Sequence, residues 1–162
     1  MSHEYAYRAL ILRQLEEFGF VDIPSSGYSM FPTIRPGDVC QFSPIHNDQL
    51  LIGDIVLFLN EEGKLIGHRL IRITGSHDKT IFECKGDTNQ YPDLIVTRDR
   101  LLGKLATIRR VNRKGKSITI LANQYIFTAW GKVMLRLPIL SSSLRKLAQL
   151  FNASHVLHEQ RQ

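Results

Sequence analysis

The most constraining feature of the chain is a series of short β-type runs between Val39 and Leu121, separated by turn-forming residues. The runs are too short for helices, and Gly-containing segments such as residues 60–63 interrupt them. Short strands joined by short turns pair antiparallel, so the pattern predicts a mainly β, α+β fold with a largely antiparallel sheet. The predicted strands are Val39–Phe42, Asp54–Leu59, Leu65–Thr74, Thr80–Cys84, Leu101–Asn112 and Ser117–Leu121.

Helical patterns flank this β-type region. Residues 4–18 have the spacing of an amphipathic helix ending at Gly19, whereas residues 20–38 are rich in Pro, Gly and Ser and predict a loop. After Leu121 the chain becomes aromatic and apolar, and Ser141–Ser143 can cap a further helix. We therefore expect a domain over residues 1–121 and a helical extension over 122–162, packed on that domain or on a membrane surface. The predicted apolar faces are Ala6, Leu10, Leu12, Leu15 and Phe18 in the first helix and Leu144, Leu147, Ala148 and Phe151 in the last.

The formal charge of +6 is unevenly divided: residues 1–97 carry a net −5 and residues 98–162 a net +11. A basic half is suited to an anionic membrane surface or to nucleic acid, and a solvated basic face without a dedicated partner is equally compatible with it. We expect reversible contact with a membrane surface and no nucleic-acid partner.

No spanning helix or signal peptide is predicted. Charged residues, Arg8 and Arg13 among them, interrupt the first helical segment, and Lys132 and Arg136 interrupt the most apolar later one. A central Lys or Arg costs roughly 2.5–3.5 kcal/mol on insertion, which the neighbouring apolar residues do not offset. The expected location is the cytoplasm, with peripheral membrane contact.

Three residue types that serine proteases combine occur in separate segments. Ser29 lies in a turn-rich stretch, His68 lies in a β-type run, and an acidic loop (residues 85–93) contains Asp87 and Asp93. A hydroxyl nucleophile, a base and an orienting carboxylate make up such a site. The order Ser, His, Asp and the lack of a G-x-S-x-G elbow disfavour the chymotrypsin, subtilisin and α/β-hydrolase folds. Taken alone, Ser29 is more typical of a serine that stabilises a turn than of a nucleophile.

Other nucleophiles and bases are weaker candidates. Lys64 or Lys85 could act as the base of a Ser–Lys pair, but a neutral imidazole accepts a proton near neutral pH without special desolvation. Cys40 and Cys84 lie in β-type runs and are predicted to be free, buried thiols. No His/Cys spacing typical of zinc and no phosphate loop occurs, so no metal or cofactor is expected.

Four sequence boxes occur in order along the chain. They are Ser29-Met30-Phe31-Pro32-Thr33 with Gly37-Asp38, then Gly53-Asp54 with its strand, His68-Arg69-Leu70-Ile71-Arg72-Ile73, and the loop with Asp87, Asn89 and Asp93. A strand beginning Gly103-Lys104 follows them. In order and spacing the boxes resemble the type I signal peptidase family, and in particular its archaeal and endoplasmic-reticulum branch, which uses histidine where bacterial enzymes use lysine. The resemblance covers roughly residues 23 to 111.

The resemblance implies a strongly coiled, signal-peptidase or LexA-like antiparallel β domain and serine endopeptidase activity on an extended signal or leader peptide. It implies Ser29 as nucleophile, His68 as base and Asp93 as the third catalytic residue, with Asp87 in support. The residues themselves also favour Asp93 over Asp87 as the partner of His68. Gly86-Asp87-Thr88-Asn89 is typical of an Asx turn, in which the Asp87 side chain accepts hydrogen bonds from local amides.

Gly27 and Met30 are further supporting candidates. Many family members have a serine in the position of Gly27, where its hydroxyl stabilises the oxyanion, so here the amide of Ser29, with Ser26 or a second amide, would carry that role. The substrate expected from the resemblance is a preprotein. Because no spanning helix is predicted, a cytosolic protease that trims the leader of a dedicated precursor peptide is a second interpretation. The alternative is a non-catalytic, protease-like module that docks on a membrane or a partner.

Overall fold

The computed structural model describes residues 3–45, 50–76, 79–93, 95–112, 115–122, 125–136 and 140–159. Within these ranges the chain forms three α-helices and an eight-stranded sheet, and Arg98–Arg100 form a short 3₁₀ helix. The helices are α1 (His3–Phe18), α2 (Tyr125–Arg136) and α3 (Leu140–Glu159). The strands are β1 (Val21–Pro24), β2 (Val39–Ser43), β3 (Ile55–Leu59), β4 (Leu65–Thr74), β5 (Ile81–Lys85), β6 (Val96–Thr97), β7 (Leu101–Val111) and β8 (Ser117–Leu121).

The sheet has the order β1-β2-β7-β3-β4-β5-β6, with β8 also paired to β7, and all its pairs are antiparallel. One edge of β7 pairs with β2, and the other is shared by β3 near its start and β8 near its end. Register shifts in three pairs, β2·β7, β3·β7 and β4·β5, bend and coil the sheet. The predicted mainly β, α+β fold with one N-terminal and two C-terminal helices is confirmed.

Two strands, β1 and β6, are not predicted from the sequence. β1 lies in the segment that was expected to be a loop, and its Val21 is 2% exposed and pairs with Phe42 of β2. β6 is only two residues long and pairs with the start of β5. Both are short segments without clear alternation, so their extended conformation depends on pairing with a longer neighbour and not on local propensity.

The buried face of α1 differs from the predicted stripe. Ile11 and Leu15 are 3% and 4% exposed and join the main core, whereas Leu10 and Phe18 are 51% and 64% exposed. Leu10 lies about 100° around the helix from Ile11, since an α-helix has about 3.6 residues per turn. The side chain of Ala6 lies outside the described residues.

The C-terminal helices contact the β domain. On α3, Leu144 and Ala148 are buried as predicted, while Leu147 is 48% exposed. Phe151 packs against Phe31 with 5.2 Å between the ring centroids. The helix begins at Leu140, one residue before the predicted cap. The division into units at residue 121 stays a prediction.

In the part of the chain that is described, no helix is both long enough and apolar enough to cross a membrane.

Candidate active site

Ser29 lies in the segment between β1 and β2, here called the serine segment (residues 25–38). Its backbone is folded into turns by hydrogen bonds from the amide of Phe31 to the Tyr28 carbonyl (3.0 Å) and from Ile34 to Met30 (2.9 Å). Met30 is 3% exposed and belongs to the main core, so it anchors the residue next to Ser29. The serine is therefore held on a short turn by a buried neighbour.

An ion pair between Arg110 and the buried carboxylate of Asp38 holds the far end of the serine segment. Asp38, 2% exposed, accepts hydrogen bonds from Arg110 Nε (2.8 Å) and Nη2 (2.6 Å) and from the Arg35 amide (2.7 Å). Arg110 Nη2 also donates to the carbonyl of Thr33 (3.0 Å). These contacts join the serine segment to strand β7, so the conformation of the segment depends on the position of that strand in the sheet.

His68 lies on β4, where it pairs with Val56 of β3, and it is 7% exposed. Its Nδ1 is 2.6 Å from Asp93 Oδ2, and its Nε2 is 2.8 Å from Ser29 Oγ. An ionised carboxylate only accepts hydrogen bonds, so this contact favours the tautomer with the proton on Nδ1. Nε2 then has a free lone pair that can accept the proton of the Ser29 hydroxyl.

The acidic loop brings Asp93 to His68 and also contacts Ser29. The amide of Asp93 donates to the Cys84 carbonyl (2.8 Å), and the amide of Thr88 donates to the Ser29 carbonyl (2.9 Å). A Cβ atom on Gly86 would lie 2.9 Å from that same Ser29 oxygen, so this position requires glycine. The loop thus fixes the carboxylate and the backbone of the serine together.

Asp87 lies apart from the imidazole in a buried ion pair with Arg69. The guanidinium donates from Nε to Oδ1 and from Nη2 to Oδ2, both at 2.8 Å, and from Nη1 to the Gly53 carbonyl at 2.8 Å. The hydroxyl of Thr33 (2.9 Å) and the indole N–H of Trp130 (3.3 Å) also donate to Asp87 Oδ2. These partners are distant in sequence, whereas the Asx-turn prediction had Asp87 bonding local amides.

Arg69, Thr33 and Trp130 were not anticipated as Asp87 partners. Arg69 offered one usable signal: it follows His68 on a strand, so its side chain points to the opposite face, and a buried arginine needs a carboxylate. Nothing in the local sequence around Trp130 indicates its contact.

The alternative nucleophiles and bases lie in other environments. Lys64 forms an exposed ion pair with Glu62, and Lys85 Nζ donates to Ser141 Oγ at 3.3 Å. Burial raises the pKa of the Cys40 and Cys84 thiols to about 12, with a smaller contribution from the nearby Asp38 and Asp93 carboxylates respectively. Both thiols are therefore protonated at neutral pH and poorly suited to act as nucleophiles.

A cleft of about 220 Å³ opens beside Ser29 and His68. Its walls are mostly apolar, with contributions from β1, β2, β3 and the start of β4. A Cβ on Gly67 would lie 3.4 Å from the Phe42 ring, whereas a Cβ on Gly27 would meet no atom within 4 Å. The arrangement can receive an extended apolar segment with a carbonyl near the serine hydroxyl.

No group of three or more His, Cys, Asp or Glu side chains suited to a metal ion occurs among the residues that the structure describes. A scan against protein-family models finds no match to the chain, and a search of curated proteins finds none either.

Proposed function

We propose that the protein is a serine endopeptidase of the signal peptidase type that cleaves an extended signal or leader peptide. The observation that carries the proposal is the continuous hydrogen-bond chain Ser29 Oγ to His68 to Asp93, beside an apolar cleft. The sequence boxes that resemble signal peptidases support the same chemistry.

In the proposed reaction, Ser29 Oγ attacks the scissile carbonyl carbon while its proton passes to His68 Nε2. Asp93 accepts a hydrogen bond from Nδ1 and stabilises the imidazolium that forms. The C–N bond then breaks as Nε2 gives the proton to the leaving amine. The acyl group stays on Ser29 as an ester. Water, deprotonated by the same imidazole, then attacks the ester carbonyl carbon. The C–O bond to Ser29 breaks as Nε2 returns the proton to Ser29 Oγ, and the second product leaves.

The supporting residues have distinct proposed roles. Asp87 holds the backbone framework through Arg69, and Met30 anchors the serine turn from the core. The amide of Ser29 stabilises the oxyanion. Gly27 has no side chain, so it does not supply the hydroxyl donor that a serine would provide at this position. Since one such donor is worth roughly 100- to 1000-fold in rate, turnover is expected to be slow.

The proposed partners are a peptide or preprotein substrate and an anionic membrane surface. Exposed Leu147 and Leu150 on α3 lie beside exposed Arg145 and Lys146, a combination suited to headgroup contact. No nucleic acid is proposed as a partner. The proposed location is the cytoplasm, with peripheral membrane contact.

A fluorophosphonate probe tests the nucleophile without knowledge of the substrate. We expect Ser29 to be labelled in the native protein, and Ser29→Ala and His68→Ala to lose labelling while retaining native circular dichroism and melting. Triad knockouts typically cost on the order of a millionfold. Ser76→Ala, an exposed serine outside the cleft, and Lys64→Ala are controls that should keep the label.

Absence of labelling in the folded native protein would overturn the proposal and favour the non-catalytic docking module. Retention of labelling in His68→Ala with its loss in Lys64→Ala or Lys85→Ala would show that a lysine is the base.

A further inference from the structure

The buried Asp87 carboxylate joins several parts of the proposed catalytic machinery. Arg69, its main partner, is the residue next to His68 on β4, and Thr33 belongs to the serine segment. Asp87 itself lies in the acidic loop that ends at Asp93. A shift of this carboxylate would therefore reach the base, the orienting carboxylate and the nucleophile turn at once.

Helix α2 supplies the remaining contact to this carboxylate. Trp130 Nε1 donates to Asp87 Oδ2 at 3.3 Å, and it comes from the helical extension, outside the segment that resembles signal peptidases. The N–H is the indole's single donor, and it is directed at an acceptor that is 3% exposed. Hydrogen bonds to ionised carboxylates are among the stronger kinds in proteins, and at 3.3 Å this one is longer than the roughly 2.7–2.9 Å of the strongest examples.

The next residue, Gly131, shows how closely the backbone of α2 approaches the Arg69–Asp87 pair. A Cβ atom at this position would lie 3.1 Å from Arg69 Nη1 and 3.4 Å from the Gly53 carbonyl oxygen. That carbonyl accepts the hydrogen bond of Arg69 Nη1, so the helix backbone covers the outer side of the guanidinium. A glycine within a helix costs about 1 kcal/mol relative to alanine, and here it permits this close approach.

Helix α3 is held against the same region by two independent contacts. Ser141, 1% exposed, receives the hydrogen bond from Lys85 at the start of the acidic loop, and Phe151 packs on Phe31 of the serine segment. Met134 of α2 is also buried, at 7% exposed. Helix α3 thus contacts both segments, the one that carries Ser29 and the one that carries Asp93, and α2 contacts the acidic loop.

We propose that Trp130 and Gly131 are positioning residues for the catalytic triad, and that α2 sets the triad geometry by closing over the Arg69–Asp87 pair. The inference rests on the proposed function. Trp130 acts through Asp87 on the acidic loop, and Gly131 acts through Arg69 on the neighbouring His68. Neither side chain touches the substrate.

The test uses the full-length chain and a fluorophosphonate probe, with two measurements for each variant. The rate constant of labelling reports how well Ser29 is activated, and the final labelled fraction reports how many molecules are folded and competent. Trp130→Phe keeps an aromatic ring and removes the donor. Gly131→Ala adds one methyl group and raises helix propensity, and Lys132→Ala, exposed on the same helix, is the control.

We expect Trp130→Phe to slow labelling about tenfold, the equivalent of one charged hydrogen bond. Gly131→Ala should slow it by about tenfold, since the added methyl group displaces Arg69 by a few tenths of an ångström, less than the roughly 1 Å misplacement that costs about 100-fold. In both variants the final labelled fraction should equal that of the native protein. Lys132→Ala should match the native protein in both measurements.

Native labelling rates in Trp130→Phe and Gly131→Ala would overturn the inference and leave the proposed function intact. A native rate with a reduced final fraction would also overturn it, because that result reports a loss of folded molecules only. If Gly131→Ala fails to fold, Trp130→Phe decides alone. Absence of labelling in the native protein itself would refute the proposed function. Comparison of the native protein with Ser29→Ala therefore tests the proposed function, and Trp130→Phe tests the positioning role.

Discussion

The two aspartates of the acidic loop should separate cleanly by mutation. Asp87→Asn removes a charge from a pair whose side chains are 2% (Arg69) and 1% (Asp87) exposed, whereas the side chain of Asp93 is 21% exposed. We expect Asp87→Asn to reduce the free energy of unfolding strongly and Asp93→Asn to reduce catalysis strongly. Each change preserves size and shape, so the difference reports charge and hydrogen bonding.

The magnitude follows from the contacts of Asp87. Its carboxylate accepts four hydrogen bonds, two from Arg69 and one each from Thr33 and Trp130. An asparagine has one acceptor oxygen, and its NH₂ group would face donors and leave the guanidinium uncompensated. Breaking a buried pair in this way costs about 3–5 kcal/mol, out of the 5–15 kcal/mol typical of a domain. In a chain of this size that corresponds to a fall in Tm of roughly 6–20 °C.

Urea unfolding followed by circular dichroism measures the stability, and fluorophosphonate labelling measures the activation of Ser29. Asp93→Asn should unfold within about 1 kcal/mol of the native protein, yet lose roughly 10⁴-fold in rate, as expected for an orienting carboxylate. Glu83→Gln is the control, because its partner Arg72 is 65% exposed and such pairs contribute about 0–1 kcal/mol. If Asp93→Asn is the less stable variant and Asp87→Asn the slower one, the two roles are exchanged.

Three further outcomes are expected. Gly27→Ser should speed fluorophosphonate labelling, by up to about 100-fold, since open space surrounds a Cβ there and a hydroxyl would supply an oxyanion donor; an unchanged rate would contradict this. Cys40 and Cys84 should resist Ellman's reagent in the folded state and react after denaturation. Their raised pKa also contributes stability to the folded state, which is present at neutral pH and is lost as the pH rises from 9.0 to about 12. Binding to vesicles containing phosphatidylserine should fall as NaCl rises from about 50 to 500 mM and weaken in the Arg145→Ala/Lys146→Ala double variant; salt-independent binding would contradict this.

Much of the sheet was predictable because strand patterns are local. β4 and β8 have the bounds that the sequence predicted, and β2, β3, β5 and β7 differ by one residue at one end or both. The turn at Asn60 was equally readable: its side chain accepts hydrogen bonds from the amides of Glu62 and Lys64, and Gly63 adopts a φ of 73°. By contrast, β1 required knowledge of the neighbouring strand with which it pairs.

The candidate site was predictable as a set of residues and not as a geometry. The order and spacing of the boxes selected Ser29, His68 and Asp93 from all the residues of their types in the chain. Their contacts span 39 and 25 residues, so the distances depend on how β4, the serine segment and the acidic loop come together. Sequence resemblance could suggest which residues meet, but not how closely.

By itself, the sequence determined the strand pattern, the turn residues, the candidate triad and the division of charge, because each is a property of short segments or of composition. Only the tertiary structure decided that Asp87 faces Arg69, that Trp130 and Gly131 close over that pair, and that Ile11 and not Leu10 faces the core. The physical reason is that a buried charge takes its partner from whichever segment packs against it. That choice is made by the packing of segments far apart in the chain, and no local pattern records it.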